Sequence, residues 1–122
     1  MWQPVRTAKS ASVTKSNGKS AARKLCTGDT YTFSAKVPEG DRDWTMHVVT
    51  SAFYDDNDEH TRGVLLSSVA KEKKGQLTAS FKVRKRWDGQ SVRLVFVGGQ
   101  VDSKKQGAGL RALGSGKVYK IG

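Results

Sequence analysis

The sequence predicts an all-β fold: a small antiparallel β-sandwich, or a jelly-roll or immunoglobulin-like barrel, with extended basic N- and C-terminal arms. Three observations predict it. Apolar and polar residues alternate with period two in several runs between residues 29 and 102. Turn-forming residues interrupt these runs roughly every 8–12 residues. No run of comparable length carries a helical period.

Residues 1–28 read as a basic low-complexity arm. They carry Arg6, Lys9, Lys15, Lys19, Arg23 and Lys24 and no acid, and they repeat a small-Lys-Ser pattern with neither strand nor helix period. Such a composition is expected to be disordered by itself. Trp2, with Pro4, reads as an apolar anchor at its tip, set on the same molecule or on a neighbour.

Residues 29–102 read as the β-sandwich body. "DTYTFSAKV" puts Tyr31, Phe33, Ala35 and Val37 on one face and Thr30, Thr32, Ser34 and Lys36 on the other. "WTMHVVTSAFY" alternates again from Trp44, after a loop at 38–43. "VLLSSVA" reads as a short strand and "KEKKG" as a turn. "QLTASFKVRKRW" and "QSVRLVFV" flank Asp88-Gly89, the signature of a two-residue type I′ hairpin. That register sets Phe81 against Phe96, Val83 against Leu94 and Arg84 against Arg93, a like-charge pair on the polar face. Residues 103–122 form a basic, Gly-rich C-terminal segment that bears Lys104 and Lys105, with one last edge strand in "KVYKIG".

The chain has 122 residues and a net charge of +11. The two ends hold the excess, because residues 29–102 balance 11 bases against 11 acids. An anionic partner is expected, with nucleic acid first and an acidic protein surface next. A second cluster for such contacts is Lys82, Arg84, Arg86 and Arg93, with Trp87 as a ring on which a base could stack.

The catalytic and metal motifs fail on spacing. "SNGKSA" lacks the first P-loop glycine, whose place Val13 takes, and Arg111 takes it before "GSGK". The acidic loop at 55–60 departs from the EF-hand, since His60 stands where its glycine belongs and Leu66 where its last glutamate belongs. A lone Cys26 excludes both an internal disulfide and a cysteine-built metal site. No apolar run reaches 18 residues, and the N-terminus has no apolar core of a secretory signal.

The expectation is therefore a structural or assembly protein: a virion component (coat, decoration or minor structural) in the virion or cytoplasm. Its basic arms would contact nucleic acid without sequence preference, or acidic surfaces of neighbouring shell subunits. No cofactor, metal, small-molecule substrate or enzymatic activity is expected. Two alternatives stand beside it. One is a small basic ribonuclease-type toxin domain using His47 and His60. The other is a calcium- or carbohydrate-binding module using Asp55, Asn57 and Glu59.

Overall fold

The computed structural model describes residues 6–37, 42–50, 63–99 and 111–122, which form two β-sheets. The strands are β1 (Arg6–Thr7), β2 (Lys9–Lys15), β3 (Lys24–Leu25), β4 (Thr30–Lys36), β5 (Arg42–Thr50) and β6 (Val64–Val69). They continue with β7 (Lys71–Lys73), β8 (Gln76–Lys82), β9 (Ser91–Gly99), β10 (Arg111–Gly114) and β11 (Tyr119–Ile121). The small sheet runs β2-β4-β8-β7 and is antiparallel. The large sheet is mixed and centres on β9. β5 pairs along one side of β9, and β10 and β11 follow each other along the other side. β6 lies beyond β5. β1 and β3 add parallel pairings to β10 and β11. Among the described residues neither sheet closes on itself. Among the described residues no helix is long and apolar enough to cross a membrane.

One core joins the two sheets. The small sheet supplies Val13, Tyr31, Phe33, Leu77 and Phe81, and the large sheet supplies Met46, Val48, Leu94, Phe96, Tyr119 and Ile121. Phe33 stacks on Phe96 with ring centroids 4.2 Å apart and planes 8° from parallel, which ties the sheets at their middle. The alternation read in "DTYTFSAKV" matches this packing, since Tyr31, Phe33, Ala35 and Val37 are all buried. Each large side chain so removed from water contributes about 1.5–3 kcal/mol.

Four expectations are corrected. First, residues 6–25 run through both sheets and are not an extended arm. β1 pairs β10, the chain crosses at the buried Ala8, and β2 then pairs β4 with Val13 opposite Phe33. Leu25 is fully buried in β3. The inward residues of β2 are small (Ala11, Val13), so the hydrophobic alternation is faint in the sequence. Asn17-Gly18 turns the chain: the Gly18 N–H donates to the Lys15 carbonyl (2.8 Å), and Gly18 takes φ +88°, the left-handed position of a three-residue hairpin loop.

Second, Asp88-Gly89 does not join paired strands. β8 belongs to the small sheet and β9 to the large one. Between them lie a 3-10 turn over Lys85–Trp87 and a type II turn, with Asp88 at φ −52°, ψ 138° and Gly89 at φ +81°. The Gln90 N–H closes this turn on the Trp87 carbonyl (3.1 Å), and the Thr27 hydroxyl donates to the Asp88 carboxylate. Phe81 and Val83 do share the core with Leu94 and Phe96, but across two sheets and not across one ladder. An inward-facing apolar pattern is the same for both arrangements, so it could not separate them.

Third, "KEKKG" is more than a turn. β7 and β8 form the hairpin, with Lys73 opposite Gln76 and a two-residue loop in which Lys74 (φ +52°) and Gly75 (φ +78°) both take the left-handed conformation of type I′. Fourth, the last strand is no edge: β11 is flanked by β9 and β3.

Candidate nucleic-acid interface

The outward side of the small sheet follows from its registers. Partners across a ladder point to the same side, and Tyr31, Phe33 and Ala35 with Phe81, Ala79 and Leu77 point into the core. Their neighbours must point out. One outward row reads Lys9, Lys36, Gln76, Lys73 across β2, β4, β8 and β7. The next reads Ser12, Ser34, Thr78, Lys71, and the one after it Thr14, Thr32, Ser80. Thr30 and Lys82 complete the far end. Successive rows are about 6.6–6.8 Å apart and strands about 4.8 Å apart.

Among the described residues this face holds lysines and hydroxyls, one glutamine and no carboxylate. All five of its lysines are exposed. Thr32 and Ser80 are joined hydroxyl to hydroxyl at 2.8 Å, which orients the centre of the array. Lys9 directly opposes Lys36, a like-charge pair that an anion between them would turn from unfavourable to favourable. Glu72 of β7 occupies the other side of its strand and accepts the Gly75 N–H at 2.8 Å. β-branched and hydroxyl side chains suit a pleated surface exposed to water, so the same residues form the strands and furnish the face.

The predicted contact residues are dispersed around the molecule. Lys9 and Lys82 lie on this face. Lys15 pairs with Asp29 at 3.0 Å, and that hydrogen bond and charge hold its ammonium above the usual lysine range. Lys19 is exposed on the returning limb of the Asn17-Gly18 hairpin. Arg23 precedes β3, and Lys24 stands beside Lys120 on the outer side of the large sheet. Arg84 and Arg86 are exposed at the crossover, and Arg93 is half-buried on the outer side of the large sheet, opposite Val49 and not Arg84. Trp87 is buried in the core, 1% exposed, and offers no ring to a base. Arg6 sits in β1. Trp2, Lys104, Lys105, His60 and the acidic loop at 55–60 lie outside the described residues.

Sequence reading did not single out Lys36, Lys71 and Lys73, which stand on this face. The signal was present: "TYTFSAK" and "QLTASFK" each place hydroxyls and a lysine opposite the core residues. Taken one strand at a time they are ordinary solvated faces, and only their adjacency makes an array.

His47 is half-buried on the outer side of the large sheet, its Nδ1 3.2 Å from the Ser67 hydroxyl, and burial lowers its pKa below the ordinary imidazole value. Cys26 is half-buried, and its N–H donates to the Tyr31 hydroxyl at 2.9 Å. Burial raises the Tyr31 and Tyr119 phenols above their ordinary range. Among the described residues no three histidine, cysteine or acidic side chains are grouped to hold a metal ion. The outer side of the large sheet differs in kind from the lysine face, carrying a buried apolar cluster of Val49, Val95, Val97 and Ala112.

No protein-family model and no curated protein matches the chain.

Proposed function

We propose that the protein is a structural, non-enzymatic assembly protein that holds nucleic acid without sequence preference against the outer face of its small sheet. The finer reading is a β-sandwich of jelly-roll kind that packs with copies of itself or other shell subunits, as in a virion. The observation that carries it is the face itself: five lysines and seven hydroxyls on four adjacent strands, with no carboxylate among them. Lysines that neutralise phosphates release counterions, which supplies affinity for any nucleic acid. Flexible ammonium groups and hydroxyls meet phosphate oxygens readily but do not match base edges as arginine or asparagine do, and among the described residues the face holds no ring for stacking.

Fluorescence anisotropy with a labelled DNA duplex, titrated at several salt concentrations, tests this. Five phosphate contacts give a log–log salt slope of about −4.5. The double variant Lys36→Glu, Lys82→Glu should flatten that slope by about 2 and weaken binding at low salt. The exposed pair Arg84→Glu, Arg86→Glu should have the smaller effect. The reading is overturned when the crossover pair abolishes binding and the sheet pair leaves it unchanged. The same titration run with RNA addresses the ribonuclease alternative: shortened RNA that disappears with His60→Ala would replace binding by cleavage.

A further inference from the structure

β6 stands at an edge of the large sheet: among the described residues it pairs with β5 and with no other strand. The register shows which of its backbone groups point away from β5. The Ala70 N–H donates to the Trp44 carbonyl at 3.0 Å, and Val69, Ser68 and Ser67 follow opposite Thr45, Met46 and His47. Hydrogen-bonded and non-hydrogen-bonded pairs alternate along an antiparallel ladder. Ala70 and Ser68 therefore turn their N–H and C=O groups toward β5, and Ser67 and Val69 turn theirs outward. The bulge in β6 falls between Val64 and Leu66, so the stretch from Leu66 to Val69 keeps a regular pleat.

We propose that this edge pairs antiparallel with β6 of a second copy of the chain, which rests on the assembly reading above and names the surface through which copies meet. Charge selects the edge. The chain carries +11, so two copies repel each other over most of their approach. The other edge strands bear Arg6 in β1, Lys9 and Lys15 in β2, Lys24 in β3, and Lys71 and Lys73 in β7. Such charges oppose the addition of a further strand. β6 reads VLLSSV and holds no charged residue.

Symmetry supplies the register. Set antiparallel to itself about Ser68, the strand places Ser67 opposite the second copy's Val69, and Val69 opposite the second copy's Ser67. The outward groups of both residues are then used on both copies, in four backbone hydrogen bonds. The same register sets a facing strand beside Val69, which is 80% exposed. A twofold axis relating antiparallel strands of one sheet stands perpendicular to that sheet. Both small sheets therefore lie on the same side of the joined large sheet, and both lysine faces point the same way.

The test is sedimentation velocity of the full chain over a concentration series, without nucleic acid. A monomer–dimer equilibrium is expected, shifting toward dimer as salt rises and screens the repulsion. Val69→Lys, at an exposed position, should raise the dissociation constant about tenfold or more and leave the melting temperature unchanged. With Cys26→Ser removing the native thiol, Ser68→Cys should give a disulfide-linked dimer under mild oxidation. Position 68 would face itself across the twofold as a non-hydrogen-bonded pair, with Cα atoms about 4.5 Å apart. Ser12→Cys, on the small sheet, should give none. A dimer that survives Val69→Lys unchanged, or that yields no cross-link at position 68, overturns the proposal. So does a monomer at every concentration: slow hydrogen exchange at the Ser67 and Val69 amides would then mean an edge covered within the chain, and fast exchange an edge left to a different polypeptide. The lysine face is tested separately, because the Lys36→Glu, Lys82→Glu protein should lose duplex binding and keep the dimer.

Discussion

Gly98 shows how a single missing side chain shapes one end of the core. A Cβ at this position would fall 2.4 Å from Trp44 Cδ2 and 2.5 Å from Cε3, so the indole occupies the space any larger residue would need. Trp44 is itself 3% exposed and packed in the main core, and cannot swing out without uncovering it. Gly98→Ala should therefore cost about 2–3 kcal/mol in urea unfolding, and Trp44→Phe in the same chain should recover part of that loss by giving the new methyl room. In the sequence, Gly98 and Gly99 simply follow "QSVRLVFV", and nothing local records that a distant indole lies over one of them. His47 offers a second test. Its folded pKa lies below the unfolded value, which is about 6.5. As pH falls through 6.5 the unfolded chain takes up the proton first, so stability present above that value is lost toward acid. Thermal melts from pH 8 to 5 should decline in the native protein, and His47→Gln should flatten the part of the curve below pH 7.

Strands differ in how plainly they announce themselves, and the difference is volume. β4 alternates large aromatic and aliphatic residues with hydroxyls, so its buried side is legible from seven residues. β2 follows the same two-residue rhythm with alanine and valine in the inward places, and its lysines and serines dominate the impression. What could have marked it was the Asn17-Gly18 pair, a hairpin signal set within low-complexity sequence. The crossover at 83–90 misled in the opposite way, since a turn dipeptide between two clear strands gives no sign of which sheet each strand joins. The lysine face was half legible for a related reason: alternation reveals the side of a strand but not its neighbours. A truncation measures what β1 and β2 contribute. Removing residues 1–20 takes away Ala8 and Val13, which are 5% and 4% exposed, and strips β4 of one of its two partners. The loss should be at least about 3 kcal/mol, visible as a lower and broader melt by circular dichroism. A detachable arm would leave the melt where it was.

Charge is organised over the molecule by surface and not by chain segment. The count along the sequence divides it into basic ends and a neutral middle, yet the acids among the described residues are only Asp29, Asp43, Glu72 and Asp88. The same residues include nineteen lysines and arginines against those four, so the two-sheet body is itself strongly basic. The neutral middle was a property of counting: most of its acids belong to the segments at 38–43 and 51–62, while eight of its eleven bases lie at 71–93. A body of this kind repels itself, most of all where Lys9 opposes Lys36 and Lys24 opposes Lys120. The Debye length falls from about 30 Å at 0.01 M salt to about 3 Å at 1 M. Raising salt across that range should therefore raise the melting temperature, the opposite of what a domain held by surface ion pairs would do. A polyanion at low salt should raise it further, because binding to the folded lysine array adds stability by mass action that screening alone does not supply. The added rise should vanish at 1 M salt and in the Lys36→Glu, Lys82→Glu protein, while the screening effect persists in weaker form. A polyanion that leaves the melt unmoved at low salt would show that the array, although basic and flat, does not engage a chain of phosphates.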